Sequence, residues 1–199
     1  MTWKETFSGR RLDLLDPDPA QIVLGDIAKG LSGTNRFTGH TSPLECVAQH
    51  SLYALILAER LFPGEHLLHA LTLFHDGHEA YTGDISRPMK LALRELGSDA
   101  LDVIEDRVQA AVLLALGLPQ PTHEQNVVIK RIDTLMLVTE RRALMPNTGQ
   151  RSWETEDIRP DPGILEMLDD PNIRDDAKFW GSLFEFQAER LLSHLKENQ

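Results

Sequence analysis

The sequence predicts an all-α protein that folds as a helical bundle. Leu and Ala are abundant and only 6% of the residues are aromatic, which favours helix over sheet. Several segments repeat apolar residues at helical spacing, and no segment alternates apolar and polar residues convincingly enough to predict a strand. Because 199 residues can bury a sizeable core, we expect one domain over residues 1–199.

The elements predicted along the chain are an N-terminal arm, a series of helices and one long loop. Residues 1–20 contain Ser8-Gly9 and an Asp-Pro-Asp-Pro stretch, which are typical of an arm rather than a regular element. Apolar spacing predicts helices over residues 20–31, 44–61, 66–79, 88–96, 98–116, 123–145 and 175–196. Residues 146–171 are rich in Pro, Asp, Gly and Asn and predict a loop excursion, with one turn of helix at residues 164–168.

Single residues account for several of the predicted helix ends. Gly33 closes the first helix, and Pro88 suits the first turn of the fourth. Ser98 is the expected N-cap of the fifth helix, which Gly117 stops. The side chains expected on or near one face of the last helix are Phe179, Leu183, Phe186, Arg190 and Leu191.

Composition excludes several classes of function. The formal net charge of −11 argues against binding of polymeric nucleic acid, which requires clustered Lys and Arg. No long apolar run and no charged-then-apolar leader is present, so we expect no membrane span, no signal peptide and a cytoplasmic location. The single cysteine, Cys46, cannot form an internal disulfide and is expected to be a small core residue.

The most informative segment is residues 75–84, which read HDGHEAYTGD. Neighbouring imidazole and carboxylate groups are the ligand types that hold a divalent cation and leave a position open for water. Glu79 follows His75 by four residues and Asp76 by three, so on a helix it shares their face and suits a role in proton transfer rather than metal binding. His78 points partly away, which favours a supporting or surface position.

Two further candidate ligands lie on other predicted helices. His50 taken alone is better explained as a buried histidine bonded to a backbone carbonyl. Asp133 lies in the middle of an apolar helix, where an unpaired carboxylate is costly to bury, so a metal ion or a base such as arginine must compensate it. The presence of the other candidate ligands favours the metal.

These residues together resemble the signature of the HD-domain metal-dependent phosphohydrolases. The closer resemblance is to the 5′-deoxynucleotidase branch and its phage and prophage relatives, which include dATP triphosphohydrolases. It covers the chain from about residue 3 to residue 142. The residues that carry it are Arg36-Phe37, Gln49-His50-Ser51, residues 75–84, Pro88, Lys90, Asp133 and Thr139-Glu140-Arg141.

The resemblance implies a single HD-domain helical bundle with one divalent metal ion, which could be Co, Mn, Zn, Fe or Mg. Glu79 would position or deprotonate the attacking water, and Asp76 would share in catalysis as a metal ligand. The ligands implied are His50, His75, Asp76 and Asp133. The substrate-binding residues implied are Arg36 and Lys90 for phosphate, Asp84 for the sugar 3′-hydroxyl, and Phe37 for sugar or base.

The sequence departs from the family pattern at two positions. Phe37 stands where the deoxynucleotidases commonly carry Trp. An aromatic ring is retained for a stacking or shape contact with sugar or base, but it is a different ring. Gln49 stands where a glutamate often precedes the first ligand histidine, so the neighbouring residue offers no charge to orient His50.

Three functions follow as alternatives. The first is a 5′-deoxynucleotidase that converts a dNMP, with adenine preferred, to the deoxynucleoside and phosphate. The second is a dATP triphosphohydrolase, which would share the metal chemistry and differ in how many phosphates its pocket accepts. The third is a helical module that binds nucleotides without catalysis. For the first two we expect a small deoxynucleotide as substrate and assembly into a homo-oligomer.

Overall fold

The structure, a computed structural model, describes residues 1–146, 155, 157–170 and 176–198. Within these ranges the chain is mostly helical and its one sheet has two short strands, so the predicted all-α helical bundle is confirmed. The helices are α1 (Leu24–Gly33), α2 (Val47–Leu61), α3 (His66–Leu73), α4 (Glu79–Thr82), α5 (Arg87–Glu95), α6 (Ala100–Ala115), α7 (His123–Leu144), α8 (Pro162–Leu168) and α9 (Ala177–Glu197).

The N-terminal arm is a β-hairpin, which the sequence did not predict. Strand β1 (Trp3–Glu5) pairs antiparallel with β2 (Arg11–Asp13). The turn between them is held by the buried Asp26 of α1, whose carboxylate accepts hydrogen bonds from Ser8 N and Ser8 Oγ at 2.8 and 2.7 Å. The expectation of an irregular arm was wrong because these strands are too short to show alternation and gain their stability from docking on α1.

Helix α2 forms the centre of the bundle. It packs against α1, α3, α7 and α9, and nearly every residue from Val47 to Ala58 is buried. A helix covered on all sides needs small and apolar residues around its whole circumference. The sequence of α2 meets this requirement with four alanines or serines between its large apolar side chains. His50 therefore reaches the site from the interior of the protein, with none of its surface exposed.

Helix α3 ends at Leu73, six residues before the predicted end, and residues 74–78 form turns. His75 Nδ1 donates a hydrogen bond to the carbonyl oxygen of Thr72 at 2.8 Å. This bond satisfies a carbonyl group in the last turn of the helix. Gly77 packs closely on α6, where an added Cβ would lie 2.9 Å from Val112 Cγ1. These two contacts explain why the chain leaves the helical path before Glu79.

The remaining helices differ from the prediction mainly at their ends. Asp99 rather than Ser98 is the N-cap residue of α6. In α9 the buried face is formed by Trp180, Phe184, Ala188 and Leu191, so Phe179 and Phe186, which are 36% and 60% exposed, were assigned to the wrong face. None of the helices in the described ranges has the length and apolar character needed to cross a bilayer.

The predicted excursion over residues 146–171 is only partly within the described residues. Helix α8 includes the turn of helix predicted at residues 164–168, and Asp161 caps it by accepting hydrogen bonds from two backbone amides. Residues 147–154, 156 and 171 lie outside the described ranges, as does residue 175, where the last helix was predicted to begin. The single domain over residues 1–199 stays a prediction.

Candidate metal centre

The four residues predicted as metal ligands come together near the middle of the bundle. His50 comes from α2, His75 and Asp76 from the turn after α3, and Asp133 from α7. Asp76 Oδ2 lies 3.6 Å from His50 Nε2 and 3.2 Å from His75 Nε2. Asp133 Oδ1 lies 3.7 and 3.9 Å from the same two nitrogens. Three segments of the chain, separated by 25 to 83 positions in sequence, thus converge on one small volume.

Hydrogen bonds fix which ring nitrogen of each histidine carries hydrogen. His50 Nδ1 lies 2.5 Å from Glu140 Oε1, and His75 Nδ1 lies 2.8 Å from the Thr72 carbonyl oxygen. An ionised carboxylate and a carbonyl can only accept, so both Nδ1 atoms donate. In the neutral rings both Nε2 atoms then present lone pairs, and they lie 3.2 Å apart. Such lone pairs repel each other unless they share a cation.

The spacing of the ligand atoms fits a metal ion. Ligand atoms at about 2.1 Å from one ion are separated by roughly 3 to 3.5 Å. The facing atoms of His50, His75 and Asp76 meet this requirement, and this group could hold a metal ion. Ligation by Asp133 stays a prediction, because its Oδ1 approaches both histidines while its Oδ2 accepts from Lys130 Nζ at 2.6 Å.

Charges around the site stabilise the ionic forms of His75 and Asp76. Burial disfavours protonation of His75, but the adjacent Asp76 carboxylate outweighs burial and raises the pKa of His75 to about 9. Burial also opposes ionisation of Asp76, yet the neighbouring histidines lower the pKa of that carboxyl well below its usual value. The site therefore attracts a positive charge, whether a proton or a metal ion.

Glu79, the predicted proton-handling residue, lies in the first turn of α4 and is 5% exposed. Its Oε2 is buried and has no hydrogen-bond partner among the described residues. Burial raises the pKa of Glu79 well above its usual value, and the negative charges of Asp76 and Asp84 raise it further. A carboxylate with a raised pKa accepts a proton more readily than an exposed one, which suits a general base.

Arg36 and Phe37 form a tight turn beside the metal centre. Arg36 is buried, and its Nη1 lies 3.9 Å from Asp76 Oδ2. Its guanidinium carbon stands 5.3 Å from the centroid of the Phe37 ring. Phe37 and Thr38 have φ angles of 52° and 54°, a left-handed conformation that is uncommon for residues with a side chain. Backbone of this kind persists where the surrounding structure imposes it and is frequent at functional sites.

The other two predicted substrate-binding residues, Asp84 and Lys90, are both close enough to Asp76 to interact with its charge. Asp84 follows Gly83, which ends α4 with a φ of 82°, a conformation that suits glycine. Burial raises the pKa of Asp84, and the charges of Arg36 and Asp76 are close enough to influence it. Lys90 of α5 donates from Nζ to Glu105 Oε2 at 2.7 Å. Its positive charge is thus balanced by a buried carboxylate of α6.

Sequence reasoning gave no role to three buried glutamates that surround the site. Glu140 bonds both His50 and Arg36, Glu105 bonds Lys90, and Glu45 lies 4.0 Å from Arg36 Nε. Glu140 supplies the charged partner of His50 that was expected to be missing because residue 49 is a glutamine. Its position seven residues after Asp133, two turns along one helix face, was a signal that could have revealed it.

A cleft of about 440 Å³ opens beside the metal centre, between the end of α3, α6 and α7. His75, Asp76 and Asp133 line it on the inner side. Lys130 lines it as well, with a side chain that is 75% exposed. Polar residues from the start of α7 and the segment before it complete its wall, among them Gln120 and Asn126. The cleft connects the candidate ligands with solvent.

Comparison with known proteins shows relatives over most of the chain. Over 173 residues, 83% of this chain, the sequence is 41% identical to the uncharacterized protein RCAP_rcc00048 of Rhodobacter capsulatus, of which the match covers 84%. This chain belongs to the same family. The uncharacterized protein YfdR of Escherichia coli K12 is another relative, 36% identical over 151 residues, which are 75% of this chain and 76% of YfdR. No protein-family profile matches the chain.

Proposed function

We propose that this protein is a metal-dependent phosphohydrolase that acts on deoxynucleotides, as a 5′-deoxynucleotidase with a preference for adenine. The observation that carries the proposal is the pair of imidazole Nε2 atoms, 3.2 Å apart, that face each other beside the carboxylate of Asp76. Their Nδ1 hydrogen bonds leave both lone pairs available to a cation. The resemblance to the HD-domain phosphohydrolases, carried by residues 75–84, supplies the substrate class.

The residues around the ligands provide what phosphate ester hydrolysis requires. A bound divalent ion would supply Lewis-acid polarisation of the phosphoryl group and a water of lowered pKa. Glu79 would accept the proton of the attacking water, since it is buried and its free oxygen has no competing partner among the described residues. Asp76 would act as a ligand, and its negative charge would make Glu79 a stronger proton acceptor.

The cationic residues suit the developing charge on phosphate. In Arg36, Nε and Nη2 are bound to Glu140, so Nη1 is the group left to face a phosphate oxygen. Lys90 would contribute a second positive charge, for which the phosphate would compete with Glu105. Asp84 would accept a hydrogen bond from the 3′-hydroxyl of the sugar, and Phe37 would contact the sugar or base.

A second candidate function is hydrolysis of dATP to deoxyadenosine and triphosphate. The observation in its favour is the cleft of about 440 Å³, which adjoins the candidate ligands and carries Lys130 on its wall. This space and this positive charge would accommodate additional phosphates. Assembly into a homo-oligomer and a cytoplasmic location stay predictions.

A substrate screen tests the proposal directly. The purified protein is incubated with dAMP, dADP, dATP and AMP in the presence of Mn²⁺, Co²⁺, Mg²⁺ or Zn²⁺, and the released phosphate species are identified. Free phosphate from dAMP, with AMP a poorer substrate, would support the nucleotidase. Triphosphate release from dATP alone would favour the second function. No turnover of any nucleotide with any metal would overturn both and favour a binding module.

The variant Glu79→Gln tests the mechanism, with Glu95→Gln as the matched control. Glu79 is buried at the site, whereas Glu95 is exposed at the end of α5. Loss of a positioned general base should lower kcat by roughly 10²- to 10⁴-fold while the metal content stays that of wild type. Glu95→Gln should leave kcat unchanged. Full activity in Glu79→Gln would remove the mechanism.

A further inference from the structure

Glu140 is a fully buried charge near the site that the proposed reaction does not use. It lies on α7, none of its surface is exposed, and both of its carboxylate oxygens are bonded. A charge in that position is costly unless it is paired and hydrogen-bonded. Its two oxygens have different partners, and each partner belongs to a different part of the proposed active site.

The first oxygen of Glu140 orients His50, one of the candidate metal ligands. Glu140 Oε1 accepts from His50 Nδ1 at 2.5 Å, which fixes the ring orientation and leaves Nε2 unprotonated. Nε2 then faces His75 Nε2 at 3.2 Å. A carboxylate in this position also makes an imidazole a stronger electron donor toward a metal ion. Without it, His50 could adopt either tautomer or rotate.

The second oxygen of Glu140 orients the guanidinium group of Arg36. Glu140 Oε2 accepts from Nε at 3.0 Å and pairs with Nη2 at 2.9 Å. Because the guanidinium is planar, these two bonds fix the direction of the remaining nitrogen. That nitrogen, Nη1, lies 3.9 Å from Asp76 Oδ2 and so faces the candidate metal centre.

We propose that Glu140 is a positioning residue that aligns the ligand nitrogen of His50 and the phosphate-facing nitrogen of Arg36 through one carboxylate. The inference rests on the proposed metal-dependent function, and it assigns Glu140 no direct contact with substrate. Glu45, a second buried glutamate, is 4.0 Å from Arg36 and also interacts with Glu140, so it is no independent control. Glu95, exposed at the end of α5, offers a control of the same residue type away from the site.

The test compares Glu140→Gln with Glu95→Gln in the full chain. Metal affinity is measured by calorimetric titration with Mn²⁺ and Co²⁺, and folding is checked by circular dichroism. Glutamine at position 140 can still accept from His50, but it loses the charge and turns an amide NH₂ toward Arg36. We expect the metal affinity of Glu140→Gln to fall by about 10- to 100-fold. Glu95→Gln should bind metal as tightly as wild type.

A tautomer measurement separates positioning from a general structural effect. In ¹⁵N-labelled protein without metal, His50 should be in the Nδ1–H form in wild type and in Glu95→Gln. In Glu140→Ala it should be a mixture of tautomers, or carry its hydrogen on Nε2. If Glu140→Ala does not fold, the metal affinity of Glu140→Gln decides whether Glu140 positions His50.

The outcomes also separate this inference from the proposed function. A wild-type protein that binds metal without hydrolysing nucleotides would overturn the function, while the affinities would still decide the role of Glu140. Equal metal affinity in wild type and Glu140→Gln would overturn the role of Glu140 and leave the function standing. Absence of metal binding in wild type would overturn both.

Discussion

The contact between α1 and α4 allows a sharp test of how Glu79, the proposed general base, is held. Gly30 of α1 lies against the backbone of Ala80, the residue after Glu79. A Cβ at position 30 would stand 2.6 Å from the Ala80 carbonyl oxygen and 2.8 Å from its Cα. These separations are shorter than real Cβ contacts, and the opposing atoms are backbone that cannot rotate away. Gly30→Ala must therefore push α1 and α4 apart.

The expected loss of stability in Gly30→Ala follows from two opposing effects. Overpacking in a rigid region costs about 1–3 kcal/mol, and the rigid backbone at Ala80 places this case in the upper half of that range. Replacing glycine by alanine inside a helix returns up to about 1 kcal/mol. The free energy of unfolding should fall by about 1–2 kcal/mol, which lowers Tm by roughly 2–8 °C for a domain of this size. Displacement of Glu79 should lower kcat as well.

Gly33→Ala is the matched control, because Gly33 lies in the same helix and an added Cβ there meets nothing within 4 Å. This variant should be as stable as wild type or slightly more stable. Urea denaturation of the three proteins measures the difference, with hydrolysis or metal affinity as a second readout. Equal stability of Gly30→Ala and Gly33→Ala would refute the argument from packing.

Three further predictions concern the metal centre, the buried ion pairs and the cysteine. A metal ion at 100 times its Kd should stabilise the wild type by about 2.7 kcal/mol, or roughly 5–11 °C in a thermal scan, and His75→Ala should abolish the shift. Arg36→Met leaves buried glutamates without their cation and should cost about 3–5 kcal/mol in urea denaturation, whereas Arg94→Met, which breaks an exposed pair, should hardly move the midpoint. Burial raises the pKa of the Cys46 thiol from 9.0 to about 11, so the folded state keeps its proton while the unfolded state loses it. The difference in unfolding free energy between wild type and Cys46→Ala should therefore be constant below about pH 9. It should decline by up to roughly 2–3 kcal/mol as the pH rises to about 11. Urea denaturation across this pH range measures the difference, and a value that does not change with pH would contradict the prediction.

Local sequence patterns were sufficient for most helices. Apolar spacing in α7 and a Thr122-Gln125 capping box at its start agree with the predicted boundary at residue 123. Patterns failed where a tertiary contact overrides the local preference. The helix predicted through residue 79 stops at Leu73, where the His75 ring bonds the nearby Thr72 carbonyl and Gly77 packs against Val112 of α6, and the hairpin forms because Asp26 holds its turn.

In the candidate site, too, local patterns predicted some residues and only the tertiary structure revealed others. Residue types and spacing selected His75, Asp76 and Glu79, because imidazole and carboxylate groups one turn apart have few purely structural uses. Glu140 could not be connected with His50 from the sequence, since 90 residues separate them. Only folding shows that the charge of Glu140 is shared between a histidine and an arginine.

The sequence by itself determined that the chain is helical, acidic and equipped with His and Asp side chains of metal-binding type, because composition and periodicity are properties of short segments. The tertiary structure decided that α2, α7 and the turn after α3 bring those side chains within 3.2–3.9 Å of one another. It also decided which nitrogen of each histidine carries hydrogen, because that depends on the partner each ring meets in the folded protein.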